Sequence, residues 1–347
     1  KPCSASKKQK IRVKNKEVDT LVKAMTTYKN PIVIERADPW VYKHTDGYYY
    51  FTGSVPGYQE IEVRRAKSLN ELEDGERASV WHAHATGPMS SLIWAPEIHL
   101  IQGRWYIYFA AAGTDEVAKG TFQHRMFVLE CDGENPLTGE WIEKGQVKTA
   151  FESFSLDATT FELDNRLYYV WAQKDPAIPG NSNLYISEMQ NPWTLCGKQT
   201  LLSIPEYAWE KVGFLVNEGP AVIVRNGKVF ITYSGSVTDE NYCMGLLWAD
   251  SASDLLDGYN WHKLAEPVFR SSEQNQLFGP GHNSFTRSED GEDDVLVYHV
   301  RPKIVTEGDP LDVPDRHAHA QVFTWSADGF PIFGEPGTDN NQKGRTI

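Results

Sequence analysis

The sequence predicts an all-β protein, a five-bladed β-propeller with its functional site at one end of the central channel. Three observations lead to this prediction. A polar anchor residue followed by an apolar strand recurs five times along the chain. After each anchored strand come a tight turn containing Gly or Asn and a second apolar strand. Successive anchors stand 59, 60, 61 and 64 residues apart, so each repeat has room for four short strands.

The five repeats share one plan of anchor, strand, turn and strand. In chain order they are Asp38 with turn 46–47 and strand 48–51, Glu97 with 102–103 and 104–108, Asp157 with 164–165 and 166–170, Glu218 with 226–227 and 228–231, and His282 with 290–291 and 295–299. A single hairpin of this size cannot bury its apolar face alone, so neighbouring repeats must pack together. In a propeller the first strands surround the channel, so the five anchors are predicted to meet at one end of it.

The domain organisation follows from the extent of the repeats. The chain has 347 residues, and no linker rich in Pro, Ser or Gly interrupts the period, so we expect one propeller domain over residues 31–347. Residues 1–30 differ, because they carry nine Lys or Arg against two acidic residues. A segment of this kind fits an arm for a membrane or nucleic acid, or equally a loosely held tail attracted to an acidic body. We assign it no function.

Composition narrows the possible partners. The net charge of −13 argues against a nucleic-acid ligand, which would require a basic face. No run of 18 apolar residues is present, so we expect no membrane span. The 11 Trp and 16 Tyr suit the stacking of sugar rings, although packing remains the ordinary role of any one of them. Four widely spaced cysteines without a C-x-x-C pair give no support to a zinc or redox site.

The anchors also suggest chemistry, because four of the five are carboxylates. Two carboxyl groups on opposite sides of a sugar suffice to hydrolyse a glycosidic bond: one protonates the leaving oxygen and the other activates water or attacks. Like charges held close together disfavour joint ionisation, so at least one carboxyl should keep its proton near neutral pH. Taken singly, each of these acidic residues could instead have a structural role at a turn or at the end of a strand. Their joint placement favours an enzyme.

These motifs resemble those of a known family. The stretches 36–39, 94–97, 155–158, 217–220 and 281–283 are similar to the blade motifs of glycoside hydrolase family 43, whose five-bladed propellers include α-L-arabinofuranosidases, β-xylosidases and arabinanases. The resemblance covers roughly residues 30 to 337. It implies that Asp38 is the general base, that Glu218 is the general acid, and that Asp157 tunes the acid's pKa and orients the substrate. It also implies inversion, which predicts about 6.5–9.5 Å between the Asp38 and Glu218 carboxyls.

The resemblance suggests roles for further residues, each with a simpler alternative. Trp94 is predicted to form a stacking wall for the sugar or to pack between blades, and Arg301 to reach substrate hydroxyls or to form an exposed ion pair. His282 is predicted to contact substrate and to hold, through water, a structural calcium ion in the channel; an ordinary hydrogen-bonding histidine is the alternative. Glu97 matches a motif but not the catalytic set, so we expect a structural role. No cofactor is required for the reaction.

The predicted function is an inverting exo-glycosidase that releases terminal α-L-arabinofuranose from plant cell-wall polysaccharides or oligosaccharides. β-Xylosidase and endo-arabinanase activities of the same family remain open, and so does a non-catalytic carbohydrate-binding propeller. A propeller of the invertase type is disfavoured, because its usual Asn-Asp-Pro-Asn-Gly motif is replaced by Ala37-Asp38-Pro39-Trp40-Val41. We expect a monomer that binds an arabinose- or xylose-containing saccharide and neither nucleic acid nor membrane. Secretion or a periplasmic location is inferred from the substrate class alone.

Overall fold

Five antiparallel sheets of four strands make up the structure, which confirms the predicted five-bladed β-propeller. The structure is a computed structural model that describes residues 26–114, 122–305 and 307–337. Most of the predicted basic segment, residues 1–25, lies outside the described residues. Within each blade the strands pair in chain order, because short loops join consecutive strands as hairpins.

The strands are numbered β1 to β20 in chain order, four to a blade. The first blade consists of β1 (Ala37–Lys43), β2 (Tyr49–Ser54), β3 (Glu60–Ala66) and β4 (Glu76–His82). The second consists of β5 (Ser91–Ile101), β6 (Arg104–Ala112), β7 (Arg125–Cys131) and β8 (Trp141–Gln146). The third consists of β9 (Ser155–Leu163), β10 (Arg166–Gln173), β11 (Asn183–Asn191) and β12 (Thr194–Ser203). The fourth consists of β13 (Asn217–Arg225), β14 (Lys228–Gly235), β15 (Cys243–Asp250) and β16 (His262–Lys263). The fifth consists of β17 (Phe278–Arg287), β18 (Asp294–Arg301), β19 (His317–Trp325) and β20 (Pro331–Ile332).

Three single 3₁₀ turns, Leu69–Glu71, Ala208–Glu210 and Gly258–Asn260, lie among the described residues. None of the described helices is long and apolar enough to cross a membrane. The three cysteines of the described residues, Cys131, Cys196 and Cys243, are free thiols.

The hydrophobic core lies between adjacent blades, as expected when no blade can bury both of its faces alone. The largest cluster joins the second, third and fourth blades around Tyr108, Trp171 and Ile231. Smaller clusters fill the other interfaces: one around Tyr50 and Trp105 between the first two blades, one at the junction of the fourth and fifth, and one at the junction of the fifth and first. The apolar strands seen in the sequence therefore become the layers between blades.

The ring closes where the fifth blade meets the first. The segment just before β1 pairs with β19, because Ile32 N–H donates to the Ala318 carbonyl at 2.8 Å and Ala318 N–H donates to the Val33 carbonyl at 2.9 Å. Ile32 and Val33 are buried. On the channel side, Ser284 Oγ accepts from Val41 N–H and donates to the Pro39 carbonyl. These bonds hold the first strands β1 and β17 side by side, which joins the fifth blade to the first.

Candidate active site

A pocket opens at one end of the central channel, and every blade contributes to its lining. The first strands or the segments that lead into them supply Asp38, Trp94, Asp157, Glu218 and His282. Three of the five, Asp38, Asp157 and His282, are almost fully buried. The structure therefore brings the three predicted catalytic carboxyls, which are spread over 180 residues of sequence, to one cavity.

Each first strand carries a β-bulge at the level of this pocket. At the bulge one residue takes a left-handed backbone conformation: Asp38 (φ 55°), Ala95 (44°), Asp157 (50°), Gly219 (57°) and His282 (41°). The pairing register with the second strand shifts at the same place in all five blades. Such a conformation costs a residue other than glycine about 1–3 kcal/mol, and it clusters at functional sites because it redirects the side chain.

The bulges show which positions are equivalent, and two of the five anchors differ from the prediction. Ala95, not Glu97, occupies the bulge of the second blade, and Glu97 lies two residues further along β5, outside the pocket lining. In the fourth blade the bulge residue is Gly219, and Glu218 lines the pocket from the position before it. Glycine suits this position, because an added Cβ would lie 3.0 Å from Cγ of His282 and would force that ring to shift.

Asp38 is surrounded by cationic and hydrogen-bonding groups. Ser54 Oγ donates to its Oδ2 at 2.5 Å, and its Oδ1 lies 3.2 Å from Nδ1 of His282 and 3.4 Å from Nη1 of Arg316. Burial by itself would raise the pKa of Asp38, but the positive charges of His282 and Arg316 outweigh it and hold the pKa well below its ordinary value. Asp38 is therefore ionised throughout the neutral and mildly acidic range.

His282 links two of the carboxyls, because its Nδ1 lies 3.2 Å from Asp38 Oδ1 and 3.7 Å from Asp157 Oδ2. Burial would lower the pKa of His282, yet the charges of Asp157 and Asp38 raise it to about 10. The imidazole is therefore a fixed cation between the two carboxyls. Its other ring nitrogen, Nε2, is buried and has no hydrogen-bond partner among the described residues.

Glu218 and Asp157 lie on a side of the pocket where burial dominates. Burial and then the charge of Asp157 raise the pKa of Glu218 to about 8, so this carboxyl keeps its proton at neutral pH. Tyr242 donates its hydroxyl to Glu218 Oε1 at 3.0 Å. Burial also raises the pKa of Asp157, whose Oδ2 accepts a hydrogen bond from the Gly219 N–H at 3.0 Å. Asp157 thus holds the peptide group that directly follows Glu218.

Glu97 lies deeper in the channel and forms a hydrogen bond with His99, between Oε2 and Nε2 at 3.0 Å. Burial raises the pKa of Glu97 well above its ordinary value and lowers the pKa of His99 to about 3, so both groups are neutral and the contact is not an ion pair. The described residues contain no cluster of three His, Cys, Asp or Glu that could hold a metal ion. The free Nε2 of His282 suits a water molecule, so a channel ion would have to be bound through water or through other oxygens.

Of the two other predicted substrate contacts, Trp94 lines the pocket and Arg301 does not. Trp94 is half-buried in the pocket wall, with its ring stacked on His124 at 3.9 Å and 18° between planes. It therefore faces the pocket and also packs within its blade. Arg301 is buried and does not line the pocket. Its guanidinium donates hydrogen bonds to the Thr238, Pro310 and Val313 carbonyls and to Asp315. The bonds to Pro310, Val313 and Asp315 fix the segment between β18 and β19.

Three residues that contact Asp38 or Glu218 were not singled out from the sequence: Arg316, Tyr242 and His299. Arg316 contacts Asp38, and its Nη2 donates to the Tyr58 hydroxyl at 3.1 Å. His299 Nδ1 accepts the Asp38 backbone N–H at 3.1 Å. The repeat pattern could have indicated two of them, because Tyr242 and Arg316 occupy equivalent positions, directly before β15 and β19, the third strands of their blades. His124 stands at the same place before β7.

One ionised and one protonated carboxyl thus face a single pocket. Such a pair can take a proton from a nucleophile on one side of a bound molecule and give a proton to a leaving group on the other. The opposed environments of Asp38 and Glu218 are the physical basis for this division.

Proteins of similar sequence and structure support the same kind of chemistry. A family model described as Glycosyl hydrolases family 43 matches residues 28–331. An extracellular exo-α-(1→5)-L-arabinofuranosidase of Streptomyces avermitilis is 52% identical over 90% of this chain and 64% of that protein. One of the same description from Streptomyces chartreusis is 50% identical over 82% of this chain and 85% of that protein. A crystal structure of an α-L-arabinofuranosidase from Lactobacillus brevis superposes with a TM-score of 0.88 at 56% identity, covering 90% of this chain and 98% of the other.

The chain spans just under two thirds of the length of some of these relatives, such as the Streptomyces avermitilis protein. The match nevertheless covers nearly all of the five blades and includes the pocket residues. On the combined ground of motif, fold and sequence identity, the chain belongs to glycosyl hydrolases family 43.

Proposed function

We propose that this chain is an inverting exo-glycoside hydrolase that releases terminal α-L-arabinofuranosyl residues from plant cell-wall polysaccharides or oligosaccharides. The observation that carries the proposal is the pairing of an ionised Asp38 with a protonated Glu218 across one pocket. The choice of sugar is supported by the relatives, because two that are at least half identical are described as exo-α-(1→5)-L-arabinofuranosidases.

In the proposed reaction Asp38 accepts a proton from a water molecule as the water oxygen bonds to the anomeric carbon. The glycosidic bond breaks on the opposite face, and its oxygen takes the proton of Glu218. His282 and Arg316 stabilise Asp38 in the form that can accept a proton. After the products leave, solvent removes the proton from Asp38 and returns one to Glu218, which restores the starting state.

Asp157 acts on Glu218 in this scheme without exchanging a proton with the substrate. Its negative charge raises the pKa of Glu218, and its hydrogen bond to the Gly219 N–H holds the backbone next to that acid. The His282 cation is 3.7 Å from the same carboxyl oxygen and limits how far the negative charge accumulates. The arrangement matches the tuning role expected of this residue.

An exo mode of attack is supported by the walls of the pocket. Residues of all five blades surround it, and the segment before β19 contributes Asp309 and Leu311 to its rim. Arg301 fixes this segment, and the Tyr58 hydroxyl donates to the Leu311 carbonyl at 2.6 Å. A fixed segment beside the pocket is expected to obstruct a chain that passes across it, so the site suits the end of a chain better than its middle.

The experiment that tests the proposal is a comparison of p-nitrophenyl α-L-arabinofuranoside with p-nitrophenyl β-D-xylopyranoside, followed by NMR of the anomer first released. We expect turnover of the arabinofuranoside and initial release of the inverted β-anomer. Preference for the xyloside would indicate a β-xylosidase instead. Sugar binding without turnover of either substrate would indicate a carbohydrate-binding propeller.

The assignment of Glu218 as acid makes a prediction about leaving groups. In Glu218→Ala, hydrolysis of p-nitrophenyl arabinofuranoside should fall much less than hydrolysis of arabinobiose, whose poor leaving group needs protonation. The expected loss on arabinobiose is about 10²–10⁴-fold, the usual contribution of general acid catalysis. Equal losses on the two substrates, measured as kcat/KM, would contradict the assignment.

A calcium ion in the channel remains a further proposal. It is supported only by the family resemblance and by the unpartnered Nε2 of His282, which suits a water molecule bound to such an ion. Elemental analysis of the purified protein, with thermal unfolding before and after chelation, would test it. An action outside the cell, on an arabinose-containing saccharide, is proposed from the extracellular description of the two Streptomyces relatives.

A further inference from the structure

The lining of the pocket divides into two unlike halves. The half formed by the fifth and first blades carries Asp38, Arg316 and Asp309. The half formed by the second, third and fourth blades, here termed the apolar wall, consists mainly of hydrophobic side chains: Trp94, Phe154, Leu156, Phe214, Val216 and Val237. Ligand pockets are usually lined by apolar side chains with a few polar groups that orient the ligand. Most of the charged lining residues lie on the half of Asp38, so the apolar wall is available to contact another part of the substrate.

The aromatic part of this wall is a continuous stack. Trp94 packs face to face with His124 at 3.9 Å, and Phe154 meets His124 edge-on at 5.7 Å. Phe122 lies 5.7 Å from Trp94 and 6.2 Å from His124. Burial lowers the pKa of His124 to about 3, so the imidazole is neutral and packs against the Trp94 ring as an uncharged aromatic group. The wall is therefore apolar through its depth and does not hide a charged group behind Trp94.

Phe214 projects from a firmly held segment at the mouth of the pocket. Its side chain is 52% exposed and lines the pocket. On one side Asn181 Oδ1 accepts from Leu215 N–H at 3.0 Å, and Asn181 N–H donates to the Leu215 carbonyl at 2.8 Å. On the other, Val237 N–H donates to the Val212 carbonyl at 2.9 Å. Phe214 is thus presented on a rigid support.

Three polar groups on this half are already hydrogen-bonded within the protein. Ser236 Oγ accepts from Val212 N–H at 2.9 Å and donates to the Trp209 carbonyl at 2.6 Å. The side-chain oxygen of Asn181 accepts from Leu215. The Thr238 carbonyl accepts from Arg301. A bound group rich in hydroxyls would lose its water here and regain few hydrogen bonds, a cost that an apolar ring does not have.

The position of the acid shows which part of a substrate meets this wall. Phe214 and Val216 lead directly into β13, where Glu218 stands four residues after Phe214. A general acid lies beside the leaving oxygen, so the leaving group extends on the side of Glu218. Resting on the proposed function, we propose that the apolar wall is a leaving-group site for an apolar ring, so that the enzyme also hydrolyses arabinofuranosides of aromatic alcohols and prefers them to those of small alkyl alcohols.

The test compares ethyl and 2-phenylethyl α-L-arabinofuranoside. Both leaving alcohols are primary and of similar acidity, so a difference in kcat/KM reports contact with the phenyl ring and not the need for protonation. We expect the 2-phenylethyl substrate to be favoured at least about tenfold. In Phe214→Ala the ratio should fall to about threefold or less. Tyr259→Ala, at an aromatic residue of the same blade that is 95% exposed and outside the pocket lining, is the matched control and should keep the wild-type ratio.

Three results would overturn the proposal. A ratio near one in the wild-type enzyme would show that the wall gives the phenyl ring no advantage. An unchanged ratio in Phe214→Ala, with the variant folded by circular dichroism, would show that this wall is not where the ring binds. A larger loss for α-1,5-arabinobiose than for the 2-phenylethyl substrate in Phe214→Ala would show that the wall serves a sugar. Absence of hydrolysis of every arabinofuranoside would remove the proposed function together with this inference.

Discussion

Asp38 and Glu218 line the same pocket, yet the two sides of that pocket surround them differently. On the side of the fifth and first blades, Asp38 has two cations within 3.4 Å of one carboxyl oxygen. On the side of the third and fourth blades, Glu218 has the Tyr242 hydroxyl, a neighbouring carboxyl and the apolar wall. Burial alone would raise both pKa values, so the cations decide which carboxyl ionises. Burial sets up a proton donor only where the opposing cations do not outweigh it.

The largest effect is expected from neutralising Asp38, the ionised carboxyl of the pair. Asp38→Asn removes the group that accepts the proton of water, while keeping the size of the side chain and an oxygen for Ser54. We expect kcat to fall by about 10²–10⁴-fold or more on every arabinofuranoside, whatever its leaving group. Asp132→Asn, at a carboxyl on the outer side of the second blade that is 73% exposed, is the control and should change little. Substantial activity in Asp38→Asn would contradict the role of base.

A milder change removes a cation and leaves the base in place. Arg316→Met takes away the charge that, after His282, most lowers the pKa of Asp38, so that pKa should rise. The acidic limb of the kcat/KM profile should then move to higher pH by about 1–2 units, in line with the effect of an arginine on a neighbouring carboxyl. Arg316→Lys keeps the charge and should restore most of the wild-type profile. An acidic limb that stays in place in Arg316→Met would mean that another group controls it.

On the other side of the pocket, removing a negative charge should act in the opposite sense. Because Asp157 raises the pKa of Glu218, Asp157→Asn should lower that pKa and move the basic limb of kcat/KM from near pH 8 to lower pH, by about 1 unit. Asn retains an oxygen for the Gly219 N–H, so the backbone beside Glu218 should keep its place. The pH profile separates this effect from loss of binding. A basic limb that moves to higher pH would refute the electrostatic role.

The smallest expected effect comes from the hydroxyl that Tyr242 donates to Glu218. This hydrogen bond lowers the pKa of Glu218, so Tyr242→Phe should raise it and shift the basic limb to higher pH. A hydrogen bond of this kind contributes about 1 kcal/mol, which corresponds to a shift of less than about 1 pH unit. Tyr259→Phe is the matched control, since that hydroxyl belongs to a residue outside the pocket lining. A shift to lower pH would mean that the hydroxyl favours the protonated acid.

Comparison of Arg301 with Arg316 shows where prediction from sequence stops. One ends β18 and the other directly precedes β19, so both lie where the same loop joins two paired strands. Only Arg316 reaches Asp38, whereas Arg301 is turned into the loop and bonds its carbonyls. Strand spacing places a residue at an end of a blade, but the direction of a long side chain depends on what surrounds it after folding. The family resemblance predicted Arg301 at this rim, but strand spacing alone does not distinguish it from Arg316, which is the arginine that lines the pocket.

The second blade gives a similar lesson for the anchors. Periodicity predicted Glu97 at the position equivalent to Asp38, but the bulge puts Ala95 there and leaves Glu97 deeper, bonded to His99. A bulge adds one residue to a strand, so an offset of one or two residues cannot be seen in a period of about sixty. Asp157 and His282, by contrast, occupy the predicted position because their bulges fall on the motif residue itself.

By itself the sequence determined the number of blades and the first two strands of each, including the first strands that carry the acidic residues, because these follow from the period of the repeat and the apolar pattern of the strands. Only the tertiary structure decided which groups surround each carboxyl: the His282 and Arg316 cations at Asp38, and Tyr242 and the apolar wall at Glu218. The physical reason is that a carboxyl's proton affinity depends on the charges and the burial within a few ångströms of it. The residues that supply those charges come from different blades, far apart in sequence, and become neighbours only when the ring closes.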